Sequence, residues 1–279
     1  MRYRFLRYPG GLEKAVTLSY DDGCIEDIRL ASTLDEYGFK GTFNLVGERK
    51  KLLTKEQIEE CFLKKGHEIA VHGELHIAEG VVRPIDGIRD VLNCRIELEE
   101  RYKTIIRGMA YPECGITRFA NGTTYETVRN YLIELDIAYA RTIGCDNNSF
   151  ELPQDWFEWM PTAHHDNPNI MKWIDEFIDV DLSLLTRKTP KLFYIWGHSY
   201  EFERKNNWKH LYDILNKLGK REDIWYATNM EIYEYVTAFN SLITNANHTM
   251  MFNPSRYDIW FSADGVTHKI NSGETLEIL

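Results

Sequence analysis

Several things are missing from this 279-residue sequence. No apolar run approaches the roughly 18–20 residues that a membrane-spanning helix needs. Met1 to Gly10 mixes arginines with aromatic residues and lacks the apolar stretch of a secretory leader. A cytoplasmic location is therefore the expectation, with a processed extracellular form as the alternative. No basic block is present either: 33 Lys and Arg face 43 Asp and Glu, for a net charge of −10. A chain so charged is not built to neutralise phosphates, so neither nucleic acid nor an anionic membrane is an expected partner. Cysteine is sparse. Cys24, Cys61, Cys94, Cys114 and Cys145 are odd in number and form no C-x-x-C pair, which reads as reduced thiols and not as a disulfide framework. There is no internal repeat and no low-complexity segment, and nothing in the sequence sets an oligomeric state.

What remains is ordinary for a globular protein with a full-sized core: 43% hydrophobic and 27% charged residues. The length fits one large α/β barrel or two small domains, and the alternation of patterns chooses between them. Seven short β-type runs, at Ala15–Tyr20, Gly41–Val46, His67–Val71, Ile105–Ala110, Ile137–Thr142, Leu192–Trp196 and Ile224–Ala227, are nearly all separated by helical patterns. Parallel βα units are the economical reading. The expectation is a distorted (β/α) barrel of about seven parallel strands over residues 1–241, with a small C-terminal β appendage over 242–279 packed on it. Thr54 and Gln57 have capping-box spacing, Gly66 suits the end of that helix, and Pro84 suits a helix first turn. Gly144 to Asn169 is long, aromatic and poorly periodic, as functional loops are. The tail carries turn signals at Asp264-Gly265 and Ser272-Gly273.

Chemistry-bearing residues cluster just past the strands, where α/β barrels place catalytic groups. Asp21 and Asp22 end the first strand; adjacent carboxylates there point to different sides, so one can ligate a cation while the other faces a reaction. The competing reading is a turn whose Asp caps the next helix. His72 and His76, four apart, fit a pair of ligands on one face of a helical turn, or two unrelated surface histidines. Tyr111 and Pro112 follow the fourth strand, and His198 follows the sixth. Trp156, Trp159, Trp196 and Tyr111 are candidates for a sugar-stacking platform, or for ordinary core aromatics.

Together these pieces resemble the polysaccharide deacetylase family (carbohydrate esterase family four, the chitooligosaccharide deacetylase homology domain). Thr17 to Gly23 is similar to its T-F-D-D-G motif, His72 and His76 to its H-x-x-x-H motif, Tyr111-Pro112 to an A-Y-P variant of the third, and Leu192 to His198 to the last. The likeness runs over about residues 14–240. It implies a metal-dependent hydrolase that removes an acetyl group from an N-acetylated sugar or oligosaccharide. By the same resemblance Asp22, His72 and His76 would hold one divalent metal, Zn²⁺ by preference, with Co²⁺, Ni²⁺ or Fe²⁺ able to replace it. Asp21 would be the base, His198 the acid, and the Tyr111 amide would help stabilise the oxyanion. Tyr111, Pro112, Trp159 and Trp196 would line the substrate. The alternatives are a metal-dependent hydrolase of another small amide or an O-acetyl ester, and an inactive carbohydrate-binding relative. Two departures stand out. The Arg usual in the third motif is missing, and Arg141, ending the next strand, is the nearest substitute by topology. A recognisable fourth motif is also missing, its place taken by Trp159 to Asp166. There Asp166 is either an orienting partner for His198 or a turn former.

Overall fold

The computed structural model describes residues 3–47, 53–142, 146–183 and 188–278. Met1, Arg2 and the Gly144–Cys145 start of the long loop lie outside the described residues. In chain order the strands are β1 (Arg4–Arg7), β2 (Lys14–Asp21), β3 (Thr42–Leu45), β4 (Glu68–Val71), β5 (Gly108–Ala110), β6 (Tyr139–Arg141), β7 (Ala163–His164), β8 (Lys191–Gly197) and β9 (Ile224–Tyr226), followed by β10 (Ile243–Thr244), β11 (Met250–Phe252), β12 (Ile259–Ala263), β13 (Val266–Ile270) and β14 (Thr275–Glu277). The helices are α1 (Asp27–Tyr37), α2 (Lys55–Cys61), α3 (Pro84–Tyr102), α4 (Tyr125–Glu134), α5 (Ile170–Ile178), α6 (Tyr200–Arg204), α7 (Trp208–Leu218) and α8 (Asn229–Asn240). None of the described helices is long and apolar enough to cross a membrane.

The seven expected parallel strands are β2–β6, β8 and β9. The sheet runs β6-β5-β4-β3-β2-β8-β7, and β9 pairs the first half of β2. The two-residue β7 was not foreseen. It is too short to show a period, and only its pairing with β8 makes it a strand. The sheet curls until its ends nearly meet. Arg141 bridges in parallel to Trp159, Thr142 N–H donates to the Trp159 carbonyl at 3.0 Å, and Thr162 N–H donates to Tyr194 on β8 at 2.8 Å. The segment from Trp159 to His164 thus closes the gap in a distorted barrel.

Strand alternation decides what lies inside. Along β2, Val16, Leu18 and Tyr20 join the large apolar layer shared with Leu30 and Leu34 of α1, Leu98 of α3 and Leu211 of α7. The alternate residues, Thr17, Ser19 and Asp21, are buried too, but they make polar contacts. Thr17 donates to Asn229 at 2.9 Å, and Asn44 donates to Ser19 at 2.8 Å. Lower down, Glu68 accepts from Tyr139 and Thr42. The barrel therefore carries a hydrogen-bonded interior that leads up to Asp21. Such a column is tolerable in a buried setting because most of its polar atoms find partners within it.

Local signals behave as their chemistry dictates. Thr54 and Gln57 form the reciprocal capping box of α2, Gly66 takes the left-handed conformation after the short 3₁₀ turn that follows, and Pro84 opens α3. In the tail, Asp264 and Gly265 both take positive φ and turn β12 into β13. The tail does not stand alone: β1 pairs antiparallel with β12, from Arg4 opposite Ala263 to Arg7 opposite Trp260. A second packing cluster joins Leu6 and Tyr8 to Ile232 and Val236 of α8 and to Phe261 and Ile270 of the tail.

Candidate active site

Asp21 is the last residue of β2, 1% exposed, and both of its oxygens are held. Oδ1 accepts from Asn44 Nδ2 at 2.7 Å. Oδ2 accepts from Nη2 of Arg141, itself fully buried at the end of β6. The Arg141 guanidinium also lies over the Trp196 ring, 4.7 Å from its centroid. Burial resists the Asp21 charge, but Arg141, with His72 and His198 behind it, outweighs that and holds the carboxyl below its ordinary range. Leaving the strand, Asp22 takes φ 79°, a left-handed conformation that Asp tolerates better than most residues. This turn swings its carboxylate away from Asp21 and toward the histidines.

Asp22 Oδ1 is 3.2 Å from His76 Nε2 and 3.7 Å from His72 Nε2. The three residues each offer one ligand atom, all within 4.8 Å of one another. His72 Nδ1 lies 2.9 Å from the Ala110 carbonyl. A carbonyl can only accept, so Nδ1 carries the proton and Nε2 presents its lone pair to the cluster. His76 Nδ1 has the Glu113 carboxylate 3.4 Å away. Two imidazole nitrogens and a carboxylate, with one ring locked in the ligating tautomer, fit a divalent cation of the zinc class.

The expected helical turn is absent. Residues 72–76 form a loop after β4 in which Gly73 has φ +76° and His76 φ 56°. The reversal brings the two rings edge to face, with centroids 4.8 Å apart. Asp90 of α3 pins this loop, accepting the Leu75 N–H at 2.6 Å. A Cβ on Gly73 would fall 2.2 Å from Asp90 Oδ2, which explains why a glycine stands there.

His198 follows β8. Its Nε2 is 3.9 Å from Asp22 Oδ2, and its Nδ1 is 3.0 Å from Glu201 Oε1. Burial opposes a charge on this ring, yet the bond to Glu201 and the charges of Asp21 and Asp22 prevail and raise its pKa. Glu201, not Asp166, is thus the carboxylate that orients His198. Asp166 pairs with Lys205 and lies 3.4 Å from His165 Nε2. The signal for Glu201 was its place three residues after His198 in a short helix, where side chains meet. Asn44, a polar residue inside a buried strand, was likewise legible but unread.

The aromatic platform needs correction. Trp159 is 1% exposed and packs edge-on against Tyr139, Trp156 and Tyr194. Tyr111 is fully buried, with its hydroxyl donating to the Phe157 carbonyl, and Pro112 is buried beside it. Trp156 packs on Tyr233 as well as Trp159. Closing the barrel takes these rings into the core, and only Trp196 of the four proposed substrate residues is partly open. The Tyr111 amide is also engaged: it donates to the Arg141 carbonyl at 2.9 Å, continuing the β5–β6 ladder, and is not free for an oxyanion.

The family described as polysaccharide deacetylase matches residues 3–139. None of the curated proteins matches the sequence. Among solved structures, a Mycobacterium smegmatis protein assigned to the polysaccharide deacetylases superposes with a TM-score of 0.58 at 20% identity, over 86% of this chain and 96% of that one. An allantoinase superposes at 0.56 with 14% identity, over 81% and 91%. The family 4 acetyl xylan esterase from Clostridium thermocellum, in complex with a cobalt ion, gives 0.50 and 20%, over 79% and 90%. At these identities the likeness is one of fold.

Proposed function

We propose that this protein is a metal-dependent hydrolase removing an acetyl group from an N-acetylated sugar or oligosaccharide, since residues 3–139 match the polysaccharide deacetylase family and the chain shares the fold of a protein assigned to that family. The observation that carries this reading is the convergence, at one rim, of an ionised Asp held by an arginine, a His–His–Asp ligand set, and a histidine of raised pKa. Sugar binding alone requires none of the three.

Asp22, His72 and His76 would hold the metal. When bound it lowers the pKa of water and polarises the amide carbonyl. Asp21, ionised against Arg141 and Asn44, takes the proton of the attacking water. His198, its ring fixed by Glu201, keeps a proton and gives it to the departing amine. The environments push the two groups apart, Asp21 down and His198 up, which is the arrangement an acid–base pair needs near neutral pH. Trp196, the partly open one of the four expected substrate residues, is the ring left to meet the sugar, at the part that Arg141 does not cover. Cys24, Cys61, Cys94 and Cys114 are free thiols. That supports a reducing compartment, and with it a small acetylated sugar over an extracellular polymer.

The test is turnover of acetylated chitooligosaccharides by zinc-loaded protein, compared with acetylated chromogenic esters and small cyclic or linear amides. Asp21→Asn and His198→Ala are each expected to retain metal and lose about 10²–10⁴-fold in rate. His72→Ala and His76→Ala are expected to lose the metal with the fold intact. Preference for an ester or a non-sugar amide would redirect the substrate class. Wild-type turnover in Asp21→Asn would remove the mechanism.

A further inference from the structure

The segment that closes the barrel ends in His164-His165-Asp166, and the first turn of α6 presents Glu201 to it. Glu201 Oε1 is committed to His198. Its Oε2 faces the other way, 3.2 Å from His165 Nε2 and 3.4 Å from His164 Nε2. Asp166 Oδ2 is also 3.4 Å from His165 Nε2, and all four residues offer ligand atoms within 4.8 Å of one another. His165 is completely buried, yet neither of its ring nitrogens has a hydrogen-bond partner. Buried polar atoms without partners are costly and call for an explanation.

His165 cannot turn away. Its backbone N–H donates to the Trp196 carbonyl at 2.9 Å, and its ring is stacked on Phe202 with centroids 4.1 Å apart. Gly197 makes room for it: a Cβ there would sit 2.1 Å from His165 Nδ1. The separations also discriminate. They exceed the roughly 2.7–2.9 Å of a charge-assisted hydrogen bond. Ligand atoms about 2.0–2.1 Å from a tetrahedral zinc ion lie about 3.3–3.4 Å from one another, close to the 3.4 Å and 3.2 Å that separate His165 Nε2 from Asp166 Oδ2 and Glu201 Oε2.

Not all four residues serve alike. His164 Nδ1 accepts the Asp166 N–H at 3.1 Å, so the neutral ring carries its proton on Nε2 and offers that proton to Glu201. Lys205, whose side chain is half exposed, contacts Asp166 and approaches Glu201 Oε2 to 3.7 Å. It answers the acidic charge but leaves the His165 nitrogen unpartnered.

We propose that His165 Nε2, Asp166 Oδ2 and Glu201 Oε2 form a second divalent-metal site, of the zinc class, separate from the Asp22–His72–His76 cluster. Lys205 is the exchangeable cation that a metal ion displaces. This stands independently of the hydrolase reading.

The test is metal stoichiometry and affinity on the full chain, stripped with a chelator and titrated with zinc against a chromophoric competitor. Wild type is expected to bind two equivalents. Asp166→Asn, at a partly exposed position, and His165→Ala, checked for fold by circular dichroism, are each expected to weaken one equivalent by more than about 10–100-fold, beyond the cost of losing an outer-shell partner. Lys205→Met is expected to tighten the same equivalent about two- to fivefold, as removal of an exposed ion pair allows. A wild type whose single equivalent is lost in His72→Ala, or unchanged affinities in Asp166→Asn and His165→Ala, overturns the second site. Loss of one equivalent in Asp166→Asn with none lost in His72→Ala would leave this site standing and remove the first.

Discussion

Arg141 reaches Asp21 from a different strand than the missing third-motif arginine would, and the reason is register. Ala110 lies opposite Arg141 in the β5–β6 ladder, so a guanidinium on β6 enters at the same level of the rim as a side chain after β5. Its planar fork bonds Asp21 while its face covers Trp196, two contacts that an ammonium cannot make together. Arg141→Lys is therefore expected to lower kcat by more than tenfold while zinc affinity changes little, since no ligand atom touches Arg141. Steady-state kinetics beside a zinc titration would check this, and equal losses in both would contradict it. Arg141 was legible because topology brings neighbouring strand ends together. Glu201 was harder to read: its spacing from His198 was visible, but the five-residue helix that makes use of it is too short to announce itself by periodicity. Trp159 misled for another reason: composition marks an aromatic as valuable but does not say which side of a wall it faces.

At the scale of elements, the ligand-bearing loop after β4 is the part most exposed to error in both reading and engineering. The i, i+4 spacing of His72 and His76 suits a helix equally well, and only the positive φ at Gly73 and His76 turns it into a loop. Glycine is the residue that makes that turn inexpensive. Gly73→Ala adds roughly 1–2 kcal/mol of left-handed strain and drives a methyl group into the Asp90 carboxylate that holds Leu75. The expected outcome is a lower melting temperature together with at least tenfold weaker zinc binding, read by calorimetry and competitive titration. A variant that binds zinc normally would mean that Asp90 does not shape the ligand loop. The long parallel strands, by contrast, were plain in the sequence, since β8 is apolar on nearly both faces and β2 on one. The polar alternation of Thr17, Ser19 and Asp21 inside β2, with Asn44 in β3, was the hint of a hydrogen-bonded lumen.

For the whole molecule, two predictions follow from what ties the barrel shut. Glu68, at the lower end of the interior, accepts from Tyr139, Thr42 and the Met230 amide, yet burial outweighs these donors and pushes its carboxyl up to about 7. A carboxyl raised above its unfolded value of 4.5 contributes stability that is full below that value and lost as pH rises through the folded one. Denaturant unfolding at pH 5 and pH 8 should show this decline in wild type and a smaller one in Glu68→Gln. Equal slopes would exclude Glu68 as its source. Phe261 of β12, fully buried between β1 and α8, is expected to cost about 3–5 kcal/mol when changed to Ala, because the tail shares a core with the barrel. Unfolding in two separate transitions would instead mark the tail as an independent unit. The pairing of Arg4 with Ala263 also sets a schedule. A ribosome adding about 5–20 residues per second needs on the order of 10–50 s after making β1 before its partner strand exists. Through that interval the barrel strands can assemble as they emerge, while Leu6 and Tyr8 wait uncovered. β1 is thus made ahead of the barrel strands and paired after them.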